Sequence, residues 1–147
     1  MLPIACGLRP ILIAAIAALL AAGAPAGAQT AAVPRVIAFV SPGPSESNRL
    51  CMNQVPTGLE QAGWSFARQL RLEWSDAAND PARYASLARA GVARRPAVLL
   101  ATENMTTEAL MNATQELPIV VIGSTILLEV LDAQLRPLAN VTGVTLG

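Results

Sequence analysis

The side chains best suited to chemistry in this sequence are hydroxyls and carboxamides gathered in three stretches. These are residues 41–48 (SPGPSESN), 102–105 (TENM) and 123–125 (GST). Ser41, Ser45 and Ser47 stand in the first, Thr102, Glu103 and Asn104 in the second, Ser124 and Thr125 in the third. Such groups donate and accept hydrogen bonds without carrying charge, which suits a small polar ligand. Glu103 adds a carboxylate. At a strand end it either meets a ligand amine or faces water, and residue type leaves both readings open. The whole set also has a plain structural reading, because Ser, Thr and Asn are ordinary caps and loop residues.

Other chemistries lack their residues. The chain contains no histidine and no lysine, so the commonest general base and the commonest zinc ligand are missing. Cys51 has no histidine to activate it and reads as a buried, inert thiol. Residues 41–44 (SPGP) lack the lysine and glycine spacing of a P-loop and the glycine pattern of a dinucleotide fingerprint. Asp76, Asp80, Glu103 and Glu129 form no paired motif, and Asp80 is better explained as a helix cap. No metal site and no cofactor are expected, and an enzyme would need a carboxylate-only mechanism or a cofactor that the sequence does not reveal. Ten arginines balance ten carboxylates, which gives no electrostatic ground for a nucleic-acid partner. Trp64 and Trp74 read as packing residues. The Asn-x-Thr sequons at Asn104, Asn112 and Asn140 read as chance in a chain rich in Asn and Thr.

The elements that must position these loops alternate in type. Residues 36–40 (VIAFV) form a short apolar run and read as a buried strand. A helix is expected from near Arg49 to Ala62, stopped by Gly63, with Pro56 kinking it or delaying its start. Leu70, Leu72 and Trp74 alternate with Arg71 and Glu73, the pattern of a strand with one face inward. Asp80 and Pro81 mark the next helix start. Tyr84, Leu87, Ala88, Gly91 and Val92 fall on one face of that helix, and Pro96 ends it. A strand follows over 97–101, a helix capped by Asn104 or Thr106 to about Gln115, a strand over 119–122, a helix over 126–135 and a strand over 141–146. This order predicts an α/β fold, a doubly wound parallel five-stranded sheet in the flavodoxin-like order 2-1-3-4-5. In such a sheet a ligand sits beyond the strand carboxyl ends, where the three polar stretches meet. Each stretch leads into a helix amino terminus, whose free N–H groups favour an anion or carboxylate.

Residues 1–28 read as a secretory signal peptide, with Arg9 in the n-region, an apolar run over 11–24 and Pro25 breaking it. Ala26, Gly27 and Ala28 supply the small residues of a cleavage site, placed after Ala28. A membrane span needs about 20 apolar residues, more than this run holds. Residues 29–33 form a linker and residues 34–147 a single lobe. Cleavage removes Cys6 with the signal, so Cys51 is expected to be the sole mature cysteine, without an internal disulfide. Export implies an envelope compartment, the periplasm in a bacterium.

From Pro34 onward the chain resembles the amino-terminal half of ABC-transporter substrate-binding proteins, of the subgroup that takes aromatic and other amino acids. The resemblance rests on Ser41-Pro42-Gly43, Gly58-Leu59-Glu60 with Gly63-Trp64, Leu72-Glu73-Trp74 and Asn79-Asp80-Pro81. It continues through Arg95-Pro96-Ala97-Val98, Leu117-Pro118-Ile119-Val120, Arg136-Pro137 and Asn140-Val141-Thr142-Gly143-Val144. It implies a non-catalytic, exported component of a type I periplasmic-binding fold. The component carries a small solute to an ABC permease in the membrane. By position it implies binding through the Ser41 loop, Glu103-Asn104 and Ser124-Thr125. Two departures stand out: Glu103-Asn104-Met105 replaces the family's usual Gly-Thr-Pro, and Gly123-Ser124-Thr125-Ile126 replaces Gly-Asp-Pro-Val. The family is about twice as long, so one lobe without its second is expected here. A remnant or interaction module with no solute of its own is the competing expectation.

Overall fold

A computed structural model describes residues 10–21, 33–66, 68–122 and 140–144. The chain opens on α1 (Pro10–Ala21) and then alternates strand and helix: β1 (Arg35–Ser41), α2 (Glu46–Gln61), β2 (Leu70–Asp76), a 3-10 turn (Pro81–Arg83), α3 (Tyr84–Ala93), β3 (Val98–Ala101), α4 (Asn104–Ala113), β4 (Ile119–Ile122) and β5 (Val141–Val144). The five strands form one parallel sheet in the order β2-β1-β3-β4-β5. The expected helix over 126–135 lies outside the described residues.

Strand alternation splits the core in two. Ile37, Phe39, Leu70, Leu100, Val120 and Ile122 face one side and pack with Met52, Val55 and Leu59 of α2. Ala38, Val40, Leu99, Ala101, Ile119 and Val121 face the other and pack with Ala88 of α3 and Leu110 of α4. The handedness of the crossovers explains the division. The step from β1 to β2 runs in one direction along the sheet and the later steps in the other, so right-handed connections put α2 opposite α3 and α4.

Among the described residues, no crossover helix covers the part of the α2 face over β3 and β4, and α1 packs there. Ile16 and Leu20 are fully buried there and Ile13 nearly so. A fully buried aliphatic side chain of this size contributes about 1.5–3 kcal/mol. A side chain at Gly58 of α2 would run into Ile13, so glycine permits the close approach. The apolar amino-terminal run, read from sequence as an address alone, thus also packs against the lobe in the full chain. Among the described residues, no helix is long and apolar enough to cross a membrane.

Helix ends follow local chemistry with some revisions. α2 starts at Glu46, earlier than expected, because Ser45 Oγ accepts the Asn48 N–H at 3.1 Å. Pro56 lies inside the helix without ending it. The helix closes where the Trp64 N–H reaches the Leu59 carbonyl and the Gly63 N–H that of Glu60, with Gly63 at φ 90°. Asp80 accepts from the Ala82 N–H at 3.0 Å, as its cap reading requires. α4 differs from expectation: Glu103 occupies the N-cap position, and neither Asn104 nor Thr106 caps it. Thr106 Oγ1 and Thr107 Oγ1 instead donate to the Glu103 carbonyl at 3.0 and 2.8 Å.

Candidate ligand site at the carboxyl edge

β1 and β3 lie side by side in the middle of the sheet, with Val40 registered on Ala101. Ser41 and Thr102 follow these residues and are neighbours at the carboxyl edge. The sheet order reverses between these strands, the place where such folds hold their ligands. Thr102 is half-buried, and its Oγ1 is the one buried side-chain polar atom without a hydrogen-bond partner among the described residues. A buried hydroxyl left unpaired costs about 1–3 kcal/mol. A ligand donor or acceptor would remove that penalty.

Ser41 is fully buried, and its Oγ accepts a hydrogen bond of 2.8 Å from Trp74 Nε1. The loop after it is held from two sides. The Asn79 N–H donates to the Pro42 carbonyl at 2.6 Å, and the Ala77 N–H to that of Ser41 at 3.0 Å. Asn48 Nδ2 donates to the Gly43 carbonyl at 2.8 Å. The clasping turn contains Ala78 at φ 53° and Asn79 at φ 60°. A Cβ on Gly43 would stand 2.6 Å from Asn79 Oδ1 and 2.9 Å from its Cγ, so any side chain there requires the exposed Asn79 amide to move.

The remaining candidates separate. Ser45 is exposed and its hydroxyl is engaged as the α2 cap. Ser47 is exposed within the first turn of α2. Glu103 and Asn104 are exposed at the start of α4, beside Thr102. Ser124 and Thr125 lie outside the described residues. The structure therefore joins Ser41 and Thr102 through strand register and gives Ser45 a structural task.

Sequence reasoning missed two residues here. Asn48 is buried and anchors the loop through Gly43. Its signal was the three-residue spacing from Ser45, that of an N-cap and its third helical position. Trp74 is 38% exposed rather than sequestered, with its ring on Phe39 at a centroid distance of 6.1 Å. Cys51 also corrects the sequence reading: it is disulfide-bonded, not a free thiol. The expectation removed Cys6 with residues 1–28, whereas the full chain keeps both cysteines. Cys6 lies outside the described residues.

Comparison with known proteins places this lobe. Residues 33–145 match the family described as ABC transporter substrate binding protein. The chain belongs to that family. No curated protein sequence matches it. Among solved structures it is similar to the ligand-free, open form of a substrate-binding protein with adhesive properties from Clostridium difficile. The TM-score is 0.69 at 18% identity, covering 76% of this chain and 38% of that one. It is similar also to an ABC domain from Streptococcus pneumonia in complex with L-Trp, with TM-score 0.67, 21% identity and coverage of 77% and 39%. A conserved domain protein from Vibrio cholerae gives TM-score 0.67 at 23% identity, with the same coverage. The chain thus spans about two fifths of the length of each of these neighbours. At these identities the likeness establishes the fold: a five-stranded parallel lobe with helices on both faces.

Proposed function

We propose that the chain is the exported, non-catalytic solute-binding component of an ABC transporter, taking a small, polar, amino-acid-like solute at its carboxyl edge. The supporting observation is the orphaned Thr102 Oγ1 beside Ser41, at the switch point of a lobe from a substrate-binding family. In this reading Ser41, Ser45, Ser47, Thr102, Asn104, Ser124 and Thr125 offer neutral hydrogen bonds, and Glu103 meets a ligand ammonium. The solute passes to an ABC permease in the membrane. Residues 1–28 direct export and are cleaved after Ala28, leaving a periplasmic lobe of residues 34–147 behind a short linker.

A second reading, an interaction module or remnant without a solute of its own, draws support from Ser41 and Ser45. Both hydroxyls already accept hydrogen bonds within the chain. Thermal-shift titration of the purified chain against the amino acids, L-tryptophan included, and small organic solutes separates the two. A saturable rise in Tm that Thr102→Val abolishes supports solute binding. A flat response across the panel supports the second reading.

A further inference from the structure

Among the described residues, the charges near the strand ends differ in sign from one end of the sheet to the other. At the carboxyl edge stand Glu46, Asp76, Asp80 and Glu103 against Arg49 and Arg83. At the amino edge stand Arg35, Arg68, Arg71, Arg94 and Arg95 against Glu60, Glu73 and Glu116. Two of those arginines share one carboxylate. Glu73 Oε1 pairs with Arg71 Nη2 at 2.6 Å and Glu73 Oε2 with Arg94 Nη1 at 2.9 Å. Arg35 donates through Nη1 to the Leu20 carbonyl. Arg95 has no side-chain hydrogen bond or ion pair among the described residues.

Arg35, Arg94 and Arg95 border an open cleft of about 460 Å³ whose other walls include Val33, Val36 and Ala97. Arg95 reaches this cleft from a left-handed backbone, φ 48°, one residue past the C-cap of α3. Glycine is the usual residue there, because a Cβ disfavours that conformation. An arginine held in a glycine position, with its guanidinium unpaired at a cleft rim, is a reason to look for a ligand.

We propose that this amino-edge cleft is an anion site, in which Arg94 and Arg95, with Arg35 at the rim, bind a phosphate group. Planar guanidinium forks match phosphate oxygens in pairs, and three arginines on one cleft without a carboxylate in its lining suit a dianion. The apolar walls accept the remainder of a phosphate-bearing molecule. The site lies at the end of the sheet opposite Ser41 and Thr102, so it is independent of the solute reading. Loss of α1 would take Leu19 from the wall and release Arg35 while leaving Arg94 and Arg95 in place.

The test uses the full chain and two variants, Arg94→Gln/Arg95→Gln and Arg95→Gly. Inorganic phosphate is titrated at constant ionic strength against chloride, with Tm as the readout. Co-sedimentation with phosphatidylglycerol and phosphatidylcholine vesicles forms the second arm. The native chain is expected to gain Tm with phosphate, or to bind phosphatidylglycerol, about tenfold or more tightly than the double variant. Adherence to phosphatidylcholine reports the apolar amino-terminal segment and is expected to be equal for both. A phosphate response alone identifies a free anion, and a phosphatidylglycerol response alone a lipid headgroup; either supports the site. Arg95→Gly is expected to melt higher than native without ligand yet to lose the response, which a purely structural arginine would not do. Equal responses of native chain and double variant to phosphate and to phosphatidylglycerol would overturn the proposal.

Discussion

Trp74 Nε1 donates a 2.8 Å hydrogen bond to Ser41 Oγ, tying an edge-strand indole to the residue that ends the adjacent strand β1. The bond spans neighbouring strands in which Phe39 is registered on Trp74. The tilted contact of the two rings, at 41°, fixes the indole in the orientation the bond needs. Ser41 keeps its own O–H free to donate. Trp74→Phe retains the ring contact and removes the donor. It is expected to lower stability by about 1 kcal/mol, read from urea denaturation.

The two tryptophans provide a solute assay. Trp74 stands at the carboxyl edge, whereas Trp64 follows α2 at the amino edge. Solute binding at Ser41 and Thr102 is expected to change the emission of Trp64→Phe, which keeps Trp74. It is expected to leave the emission of Trp74→Phe unchanged. Parallel fluorescence titrations check this.

Gly43 and Asn79 are coupled by their close approach. Gly43→Ala is expected to destabilise by about 1–2 kcal/mol, within the range for overpacking. Asn79→Gly removes the obstructing amide and suits φ 60° at that position. The double variant is therefore expected to recover much of the loss. A thermodynamic cycle of the four proteins measures the coupling.

Ala78 carries a Cβ at φ 53° with its N–H on Asp76 Oδ1 at 2.9 Å. Ala78→Gly keeps that hydrogen bond and removes the left-handed penalty. A gain of about 1 kcal/mol is expected from denaturant midpoints, since that penalty amounts to about 1–2 kcal/mol. The usual direction of a glycine substitution is reversed here by the backbone.

Asn140 joins β5 to the turn before β4. Its Nδ2 donates to the Leu117 carbonyl at 2.6 Å and to that of Thr114 at 3.3 Å. Asn140→Asp sets a carboxylate against two carbonyls and is expected to cost more than Asn140→Ala, which is expected to cost about 1–3 kcal/mol. Thermal denaturation of both variants gives the order.

Most of the sheet was legible in the sequence because its strands are short apolar runs bounded by proline, glycine and charge. The run over 119–122 needed no revision, and the Tyr84-to-Val92 face packs as its spacing implied. The strand order followed from alternation of element types and from crossover handedness, which are properties of any such chain. Helix starts were less legible. Ser45 starts α2 by a side-chain cap that competed with its loop reading, and Glu103 starts α4 without any side-chain cap to mark it.

The sequence by itself determined the class of fold, the absence of histidine chemistry and the polar character of the carboxyl-edge loops. Residue types and periodicity depend only on local order along the chain. Tertiary structure decided which of those polar groups are already engaged and which are not. It turned Ser41 toward Trp74, left Thr102 Oγ1 unpaired, paired Arg94 with Glu73, and set Arg35, Arg94 and Arg95 on one cleft. These are contacts between residues far apart in sequence. Only the register of parallel strands, set by packing the helices on both faces, fixes which of them meet.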